Sequence, residues 1–467
     1  MADDRERSQV KLLTDALTGV AVWPPTWDGA DESMEYLYRE HTVLVREADA
    51  SRVLVELPAA LQRAQGVDPA ARRVGGEVRR DASVEFPVAP APRRGESSGG
   101  VVPLTWAGAV GDADRLKVPY VLDELDAVLG VGVARPEHVL YVCGYSCPAH
   151  EPLEVAAGTS IPTRAFPSPG GDFCHDPKRG SGKGVKISIV DTGLYQKATG
   201  RHSWMSGVTG ADDGGADGLT IAAYGGHGTF GAGCARVVAP AADVFVASAL
   251  PYAGADYETN IVRAIHQLLD DGVPDILVFT FVTDTRLSLG LLAFDLLYEE
   301  RLSQVKGLAL LAPAGNDYST KPKWPAAYPW VTSVGALDAN CDRLADYSNR
   351  GPWVDVSGPG TDLVNAFPDG AYRCTEPGNN GELRQFTGMG RWSGTSFSTP
   401  TVAGMVAARA SVTGVTAAVA LQQLLAEART DSVCGVGPVL VPGYRGCGGH
   451  GCGRRCGRHG CGGCGCC

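Results

Sequence analysis

The amino-acid sequence predicts an α/β fold for the part of the chain that follows residue 184, with helices on both faces of a parallel sheet. The first observation is a set of uninterrupted apolar runs of strand length, at 185–190, 242–248, 275–282 and 307–315. The second is that these runs alternate with stretches of helical spacing, which include 260–269 and 289–302. Short, continuous apolar strands between helices are typical of a parallel sheet covered on both faces. In such sheets the functional residues lie at the carboxyl ends of the strands.

The first 160 residues have a different pattern, which predicts a smaller α+β region. We expect helices over 7–17 and 120–129 and a strand over 138–142. Residues 41–57 hold two alternating apolar runs around a polar turn, typical of a hairpin or of a strand followed by a helix. Residues 86–102 are rich in Pro, Ala, Gly and Ser and are interpreted as a linker. We therefore divide the chain into an N-terminal region, an α/β domain and a C-terminal tail, at 1–160, 161–435 and 436–467.

Composition and charge exclude several classes of protein. Of the 467 residues, 44% are apolar and 20% are charged, which is typical of a soluble globular protein. The formal net charge of −11 argues against nucleic acid or an anionic membrane as the main partner. No apolar run approaches the roughly 18 residues that a membrane-spanning helix needs. The N-terminus, MADDRERSQVKLL, lacks a basic segment followed by an apolar one, so we expect no secretory signal and a cytoplasmic location.

The 14 cysteines fall into two groups. Seven lie between Cys447 and Cys467, in a tail that also holds two His and nine Gly and is therefore expected to be flexible. Three interpretations of this tail remain open: a disordered segment, a site for Zn²⁺ or Cu(I), or a processed or disulfide-forming peptide. Cys461 and Cys464, which have C-x₂-C spacing, are the candidate metal ligands. Without an export signal, the other seven are expected to be free thiols: Cys143, Cys147, Cys174, Cys234, Cys341, Cys374 and Cys434.

The stretch from Gly390 to Gly404, GRWSGTSFSTPTVAG, predicts a tight glycine-containing loop that leads into a helix. Pro400 is compatible with the first turn of a helix, and the apolar residues that follow it have helical spacing. Ser396 would then lie at the positive end of the helix, with its hydroxyl exposed and its amide N–H directed at a developing negative charge. This arrangement suits a nucleophile. The alternative is an ordinary serine that caps the helix.

Three further residues carry chemistry only if they act together with Ser396. Asp191 is the first polar residue after the run 185–190, His227 lies among glycines before a small-residue helix, and Asn316 follows the run that begins at 307. Taken singly, each has an ordinary structural explanation: Asp191 and Asn316 as turn residues, and His227 as a histidine of the core. Together they supply a base, an acid that orients it, and a second donor for an oxyanion. These are the parts that nucleophilic acyl transfer requires.

The motifs IVDTG, GGHGT, APAGND and GTSFSTPTVAG, in this order, resemble those of the subtilisin-like serine peptidases. The resemblance covers about Lys186 to Arg409 and implies a subtilisin-like fold. It implies that Asp191, His227 and Ser396 form the catalytic triad and that Asn316 donates to the oxyanion. The substrate would be a protein or peptide. No cofactor is required; the resemblance makes Ca²⁺ possible, but no acidic loop here places one.

The sequence departs from the family pattern at three places. Phe230 and Phe397 replace residues that the family usually has as His and Met, and we expect both changes to affect packing only. Thr280, Phe281, Val282 and Thr283 replace the usual Ser-Leu-Gly-Gly of the substrate-binding strand. Branched side chains there should narrow the specificity pocket and restrict the substrates. We expect substrate binding at Thr280, Phe281, Val282 and Gly315.

The role of the N-terminal region stays open between three interpretations. It occupies the place of a family propeptide, and ARPEHVLYVCGYSCPAHEP resembles the end of the extension that precedes some catalytic domains. It would then act as an intramolecular inhibitor and folding aid; the alternatives are a recruiting or regulatory domain and an inert extension. For the whole chain the leading hypothesis is a serine endopeptidase. The rivals are a catalytically restricted or inactive peptide-binding module and a peptidase gated by metal or thiol chemistry of the tail.

Overall fold

The computed structural model of the protein describes residues 4–27, 34–67, 78–80, 100–106, 117–142, 150–156, 181–430, 432–433 and 435–442. The cysteine-rich tail and most of the predicted linker lie outside these residues, and so do Cys143, Cys147, Cys174 and Cys434. The three cysteines that are described, Cys234, Cys341 and Cys374, form no disulfide.

The N-terminal region forms an antiparallel sheet with helices packed on it. Apolar side chains of β2 and β4 make a core with α2 and α3, because both helices place Val and Leu residues at helical spacing on the face that meets the sheet. Residues 41–57 are thus a strand followed by a helix. The elements are α1 (Asp4–Ala16), β1 (Val20–Trp23), β2 (Tyr36–Arg46), α2 (Glu47–Val67), β3 (Val78–Arg80), β4 (Val101–Trp106), α3 (Val118–Leu129) and β5 (Ala134–Val142).

The predicted parallel sheet with helices on both faces is confirmed. The strands from residue 186 onward are β6 (Lys186–Asp191), β7 (Thr209–Gly210), β8 (Thr220–Ile221), β9 (Asp243–Ser248), β10 (Ala255–Tyr257), β11 (Ile276–Phe279), β12 (Phe281–Val282), β13 (Ala309–Pro313), β14 (Thr332–Leu337), β15 (Val356–Pro359), β16 (Leu363–Arg373) and β17 (Leu383–Trp392). The strand order of the parallel sheet is β15-β14-β13-β11-β6-β9-β7, and every neighbouring pair is parallel.

The helices divide between the two faces of this sheet. Helices α5, α8 and α9 share one apolar core with it, and α6 and α7 share the other. Helix α8 approaches α5 closely at Gly404, where a Cβ would lie within 3.0 Å of the carbonyl oxygen of Ala235. The helices of this part are α4 (Lys197–Arg201), α5 (His227–Val238), α6 (Glu258–Asp271), α7 (Leu292–Glu300), α8 (Thr395–Thr413) and α9 (Ala417–Thr430).

Four sequence-based expectations differ from the structure. Asp191 is the last residue of β6 rather than the first after it. The run 275–282 is two strands, because β12 leaves the parallel sheet and pairs with β5. Residues 101 and 102 belong to β4 and not to the linker, since Val101 and Val102 pair with β2 and are buried. Pro400 lies one turn inside α8 instead of in its first turn.

The N-terminal region and the α/β part share a sheet. The first half of β5, residues 134–138, pairs with β2. The second half, residues 139–142, pairs with β10 and β12 of the α/β part. Further along the chain, Leu153 forms an antiparallel bridge with Arg391 of β17. The region is therefore held on the α/β part through backbone pairing at two separate places.

No single helix in the described part of the chain is long and apolar enough to cross a bilayer. Helices α8 and α9 meet the length and composition criteria as a pair, but they are bent by 110° relative to each other.

Candidate active site

Asp191, His227 and Ser396 lie far apart in the sequence, and the fold brings their side chains together. Asp191 ends β6, His227 is the first residue of α5, and Ser396 is the second residue of α8. The Nδ1 atom of His227 lies 2.8 and 2.9 Å from the two carboxylate oxygens of Asp191. The Nε2 atom lies 3.0 Å from Ser396 Oγ. The three residues form one continuous chain of hydrogen bonds.

The Asp191 carboxylate fixes the tautomer of His227. A carboxylate only accepts hydrogen bonds, so Nδ1 carries the ring proton, and Nε2 of the neutral ring is left to accept the Ser396 hydroxyl proton. Glycines on both sides of His227 make this approach possible. Gly226 has φ of +85°, and a Cβ there would lie within 3.0 Å of Pro368, while a Cβ at Gly228 would collide with the backbone of Gly193. Chemically, the arrangement can remove a proton from a hydroxyl and return it to a leaving group.

Aromatic rings pack on the imidazole. The His227 ring lies 4.8 Å from Phe397 and 5.4 Å from Trp392, measured between ring centroids. Phe230 packs behind them, 4.6 Å from Phe397 and 5.9 Å from Trp392. All four side chains are fully buried. The two Phe substitutions noted in the sequence thus form an apolar wall beside the base.

Asn316 is held next to Ser396 through Thr395. Its side-chain oxygen accepts hydrogen bonds from the Thr395 amide at 3.0 Å and from the Thr395 hydroxyl at 2.8 Å. The same hydroxyl accepts the Gly315 amide proton at 3.1 Å. Because the oxygen of Asn316 faces Thr395, the amide nitrogen is the end that would donate to an oxyanion. Gly315 has φ of +100°, and a Cβ there would collide with Asn349, so a glycine is needed before Asn316.

Of the four residues predicted to bind substrate, Phe281 and Val282 form β12, Thr280 directly precedes it, and Gly315 lies after β13; all four are buried. The Thr280 hydroxyl donates to the carbonyl oxygen of Val190 at 2.9 Å, and Phe281 packs among aromatic rings of the core. Val282 has no exposed surface. The edge of β12 is paired with the chain's own β5, through the pairs Phe281–Val142 and Val282–Tyr141.

Strand β5 lies between two short strands of the α/β part and pairs antiparallel with both. On one side it pairs with β12, and on the other with β10, where the pairs include Tyr141–Ala255. The Val142 amide donates to the carbonyl oxygen of Gly254 at 2.8 Å. The side chains of Leu140 and Val142 point into the apolar core that α6 and α7 share with the sheet.

A second part of the N-terminal region lies on the other flank of the triad. The indole nitrogen of Trp392 donates to the carbonyl oxygen of His150 at 3.0 Å, and His150 Nε2 lies 3.1 Å from Ser393 Oγ. The carboxylate of Glu151 is buried and accepts the Thr375 amide proton at 2.6 Å. Ser396, expected to be exposed, has no accessible surface in this structure.

Sequence reasoning missed several residues of the site. Thr395 supports Asn316, and the only signal for it was its place directly before the predicted nucleophile. Asp213 contacts the Thr192 hydroxyl beside Asp191 and the Gly226 amide beside His227, but its surrounding loop has no periodicity that would single it out. Lys323 is buried and forms ion pairs with Asp284 at 2.7 Å and Asp317 at 3.0 Å, beside β12 and Asn316. No local pattern predicts that these charges meet.

The described part of the chain holds no group of three or more His, Cys, Asp or Glu side chains arranged to bind a metal ion. Cys461 and Cys464, the candidates in the tail, lie outside the described residues.

Comparisons with known proteins agree with the fold and the motifs. The chain is 31% identical over 256 residues to a thermophilic serine proteinase of Bacillus sp. (strain AK1), a match that covers 51% of this chain and 55% of that relative. It is 30% identical over 243 residues to thermitase of Thermoactinomyces vulgaris, which covers 49% of this chain and 76% of thermitase. The chain thus spans little more than half the length of the first of these relatives.

A solved structure shares the fold over most of the chain. Fervidolysin from Fervidobacterium pennivorans, a keratinolytic enzyme related to subtilisin, aligns with a TM-score of 0.51 and 18% identity. The alignment covers 86% of this chain and 60% of fervidolysin. Residues 182–437, more than half of the chain, match the family model of the subtilases. The chain therefore belongs to the subtilase family.

Proposed function

We propose that the protein is a serine endopeptidase that cleaves peptide bonds through an acyl-enzyme. His227 Nε2 takes the proton of the Ser396 hydroxyl while Oγ bonds to the scissile carbonyl carbon. The resulting oxyanion accepts hydrogen bonds from the Asn316 amide and the Ser396 backbone N–H. When this tetrahedral intermediate collapses, the C–N bond breaks and His227 gives its proton to the leaving amine. In the second step a water molecule gives a proton to His227 and attacks the ester, which releases the carboxylic acid product and returns the proton to Ser396. Asp191 stabilises the imidazolium in both steps.

The observation that carries this proposal is the hydrogen-bond chain from Asp191 through His227 to Ser396. An ordinary helix-capping serine would bond to its own helix, whereas Ser396 Oγ lies 3.0 Å from the imidazole. A core histidine would need one partner for each nitrogen, but not a buried carboxylate on one side and a hydroxyl at a helix N-terminus on the other. The combination matches the requirements of a base-activated nucleophile.

The position of β5 supports two additions to this proposal. A substrate that binds as an extended strand needs a free strand edge, and β10 and β12 offer two such edges that face one gap. In the structure β5 fills this gap, and His150 lies on the far side of the triad. We therefore assign β10 and β12 to substrate binding. We assign the N-terminal region, including β5, the role of an intramolecular inhibitor that occupies the same edges.

A serine-reactive fluorophosphonate probe, applied after the N-terminal region has been released, tests the enzyme function. We expect labelling of the wild type and none of Ser396→Ala or His227→Ala. Incubated wild-type protein should also show new masses from self-cleavage, and Ser396→Ala should not. Labelling that survives His227→Ala would contradict the assigned base, and an intact wild type that cleaves no peptide library would contradict the endopeptidase.

One observation favours a second candidate, a peptide-binding module without catalysis. Phe281 and Val282 of β12 pair with β5 and are fully buried, and Ser396 has no accessible surface. A module of this kind would hold a peptide strand in the gap and leave it uncut. Release of the N-terminal region followed by peptide binding without cleavage would favour it over the enzyme.

A further inference from the structure

Asp213 is a buried carboxylate outside the triad that contacts the residues beside two of its members, the Thr192 hydroxyl and the Gly226 amide. It lies in the loop between β7 and β8 and is 2% exposed. Its Oδ2 atom accepts the Gly226 amide proton at 2.7 Å and the Thr192 hydroxyl proton at 3.2 Å. Its Oδ1 atom accepts the Gly215 amide proton at 3.0 Å. Both oxygens are thus engaged by donors.

These contacts connect the strand end that carries the orienting acid to the helix start that carries the base. Thr192 follows Asp191, and its amide donates to Asp191 Oδ1 at 2.6 Å. The Thr192 hydroxyl also accepts the Gly228 amide proton at 3.2 Å. Gly226 and Gly228 enclose His227 in the chain. A single carboxylate therefore sets the distance between β6 and the first turn of α5, on which the short contact between Asp191 and His227 depends.

We infer that Asp213 is a positioning residue for the proposed triad, which it supports by geometry and by charge. It holds Thr192 and Gly226 at a fixed separation, and its negative charge stabilises the imidazolium that forms at His227 during the reaction. The inference rests on the proposed peptidase function. A displacement of about 1 Å between reacting groups lowers the rate by about 100-fold, so a residue that fixes this separation affects turnover without touching the substrate.

The protonation of Asp213 gives the inference its specific signature. Burial raises the pKa of the Asp213 carboxyl to about 6, against the lowering effect of its hydrogen bonds from Gly226, Gly215 and Thr192. The charged group that faces it is Asp191 of β6, which raises this pKa further. As the pH falls through this range, Asp213 takes up a proton in addition to the one that His227 binds. The two protonations then both lower the activity, which makes the acid side of the pH profile steeper than a single protonation would.

The test compares the kcat and KM profiles of Asp213→Asn, Thr192→Val and a control between pH 5 and 9, with the N-terminal region released. The control is Asp217→Asn. Asp217 is an exposed aspartate of the same loop that also accepts backbone amide protons, from Leu219 and Thr220. We expect Asp213→Asn to lower kcat by about 10- to 100-fold with little change in KM. The acid side of its kcat profile should move to lower pH, because the loss of a nearby negative charge lowers the pKa of His227. The acid side should also become less steep and fit a single protonation. Asp217→Asn should match the wild type.

Thr192→Val keeps the charge of Asp213 but removes the hydroxyl between it and Gly228. It should therefore lower kcat and retain the steep acid limb, and it decides the question if Asp213→Asn does not fold. The inference is overturned if the acid limbs of Asp213→Asn and the wild type coincide, or if Thr192→Val has the wild-type kcat. An inactive wild type would instead contradict the peptidase function itself, so the two failures are distinguishable.

Discussion

Replacing Glu137 should change how docking of the N-terminal region depends on pH. Glu137 lies on β5 with a fully buried side chain, where it forms an ion pair with Arg39 at 3.1 Å and accepts a hydrogen bond from the hydroxyl of Thr259 in α6. Burial raises the pKa of this carboxyl from 4.5 to about 7; Arg39 and Thr259 oppose the shift, and Glu258 and Asp256 add to it. The proton on Glu137 is therefore held more tightly in the docked state than after release.

The sign and the size of the effect follow from this shift. The docked state binds an extra proton between pH 4.5 and about 7, so docking is strongest below pH 4.5 and weakens as the pH rises through 7. A difference of about 2.5 pH units corresponds to about 3 kcal/mol, or roughly two orders of magnitude in the docking equilibrium. Glu137→Gln removes this titration. What remains is the contribution of Asp256, whose pKa burial also raises and which therefore acts in the same direction.

Hydrogen exchange of the β5 amides measures docking directly. The Ser396→Ala background keeps the chain intact, and the rates are corrected for intrinsic exchange at each pH. We expect the protection of residues 139–142, which pair with β10 and β12, to fall by about 3 kcal/mol between pH 4.5 and 8. In Glu137→Gln this loss should be much smaller, while Glu35→Gln, a change at an exposed carboxylate beside β2, should behave like the parent. Parallel loss of protection in parent and Glu137→Gln would refute the reasoning.

Three further predictions concern the site. Asn316→Leu should lower kcat by about 10²–10³-fold with little change in KM, which is the loss known for the oxyanion asparagine of subtilisin. A rise in KM of that size, with kcat unchanged, would indicate a role in substrate binding instead. In released wild-type protein, turnover should rise between about pH 6 and 7.5 because His227 must be neutral to act as the base, and a flat profile would contradict this. Gly254→Ala places a Cβ within 3.0 Å of Val142 at a φ of +73°, so it should loosen β5 and speed its proteolysis relative to the wild type.

The sequence predicted the fold well where the signals are local. Continuous apolar runs marked the parallel strands, and the rule that sites lie at the carboxyl ends of such strands placed Asp191 and Asn316 at one edge. The glycines around His227 and before Ser396 are local signals too, since each is needed where the backbone or a neighbour leaves no room for a side chain. These signals mark the residues singly; that they meet was implied by the resemblance to the subtilisin-like serine peptidases.

The rest depends on pairings between distant segments. The run at 138–142 predicts a strand, but nothing in it names Ala255 and Val282 as the residues beside Tyr141. The same holds for Asp213, whose partners Thr192 and Gly226 lie on either side of it in the chain. From the sequence, the branched residues Val282 and Thr283 are predicted to narrow a substrate pocket. The structure shows a further role for Val282, since it lies on the edge of β12 that pairs with β5.

This second role of Val282 bears on how the proposed peptidase would be activated. β-Branched residues favour paired strands, whereas glycine weakens them, so Val282 stabilises whichever strand occupies the edge of β12. The resident strand is tethered, and a tethered segment competes at an effective concentration in the millimolar range. A free peptide that binds in the micromolar to millimolar range usual for enzyme substrates is therefore excluded unless its own interactions are much stronger. Cleavage of the chain after β5 breaks the tether but leaves β5 in the N-terminal sheet, because β5 also pairs with β2. The region therefore occupies the edges of β10 and β12 until it dissociates as a whole. Activity on other proteins thus requires departure or degradation of the whole N-terminal region, and cutting without release should leave the enzyme latent.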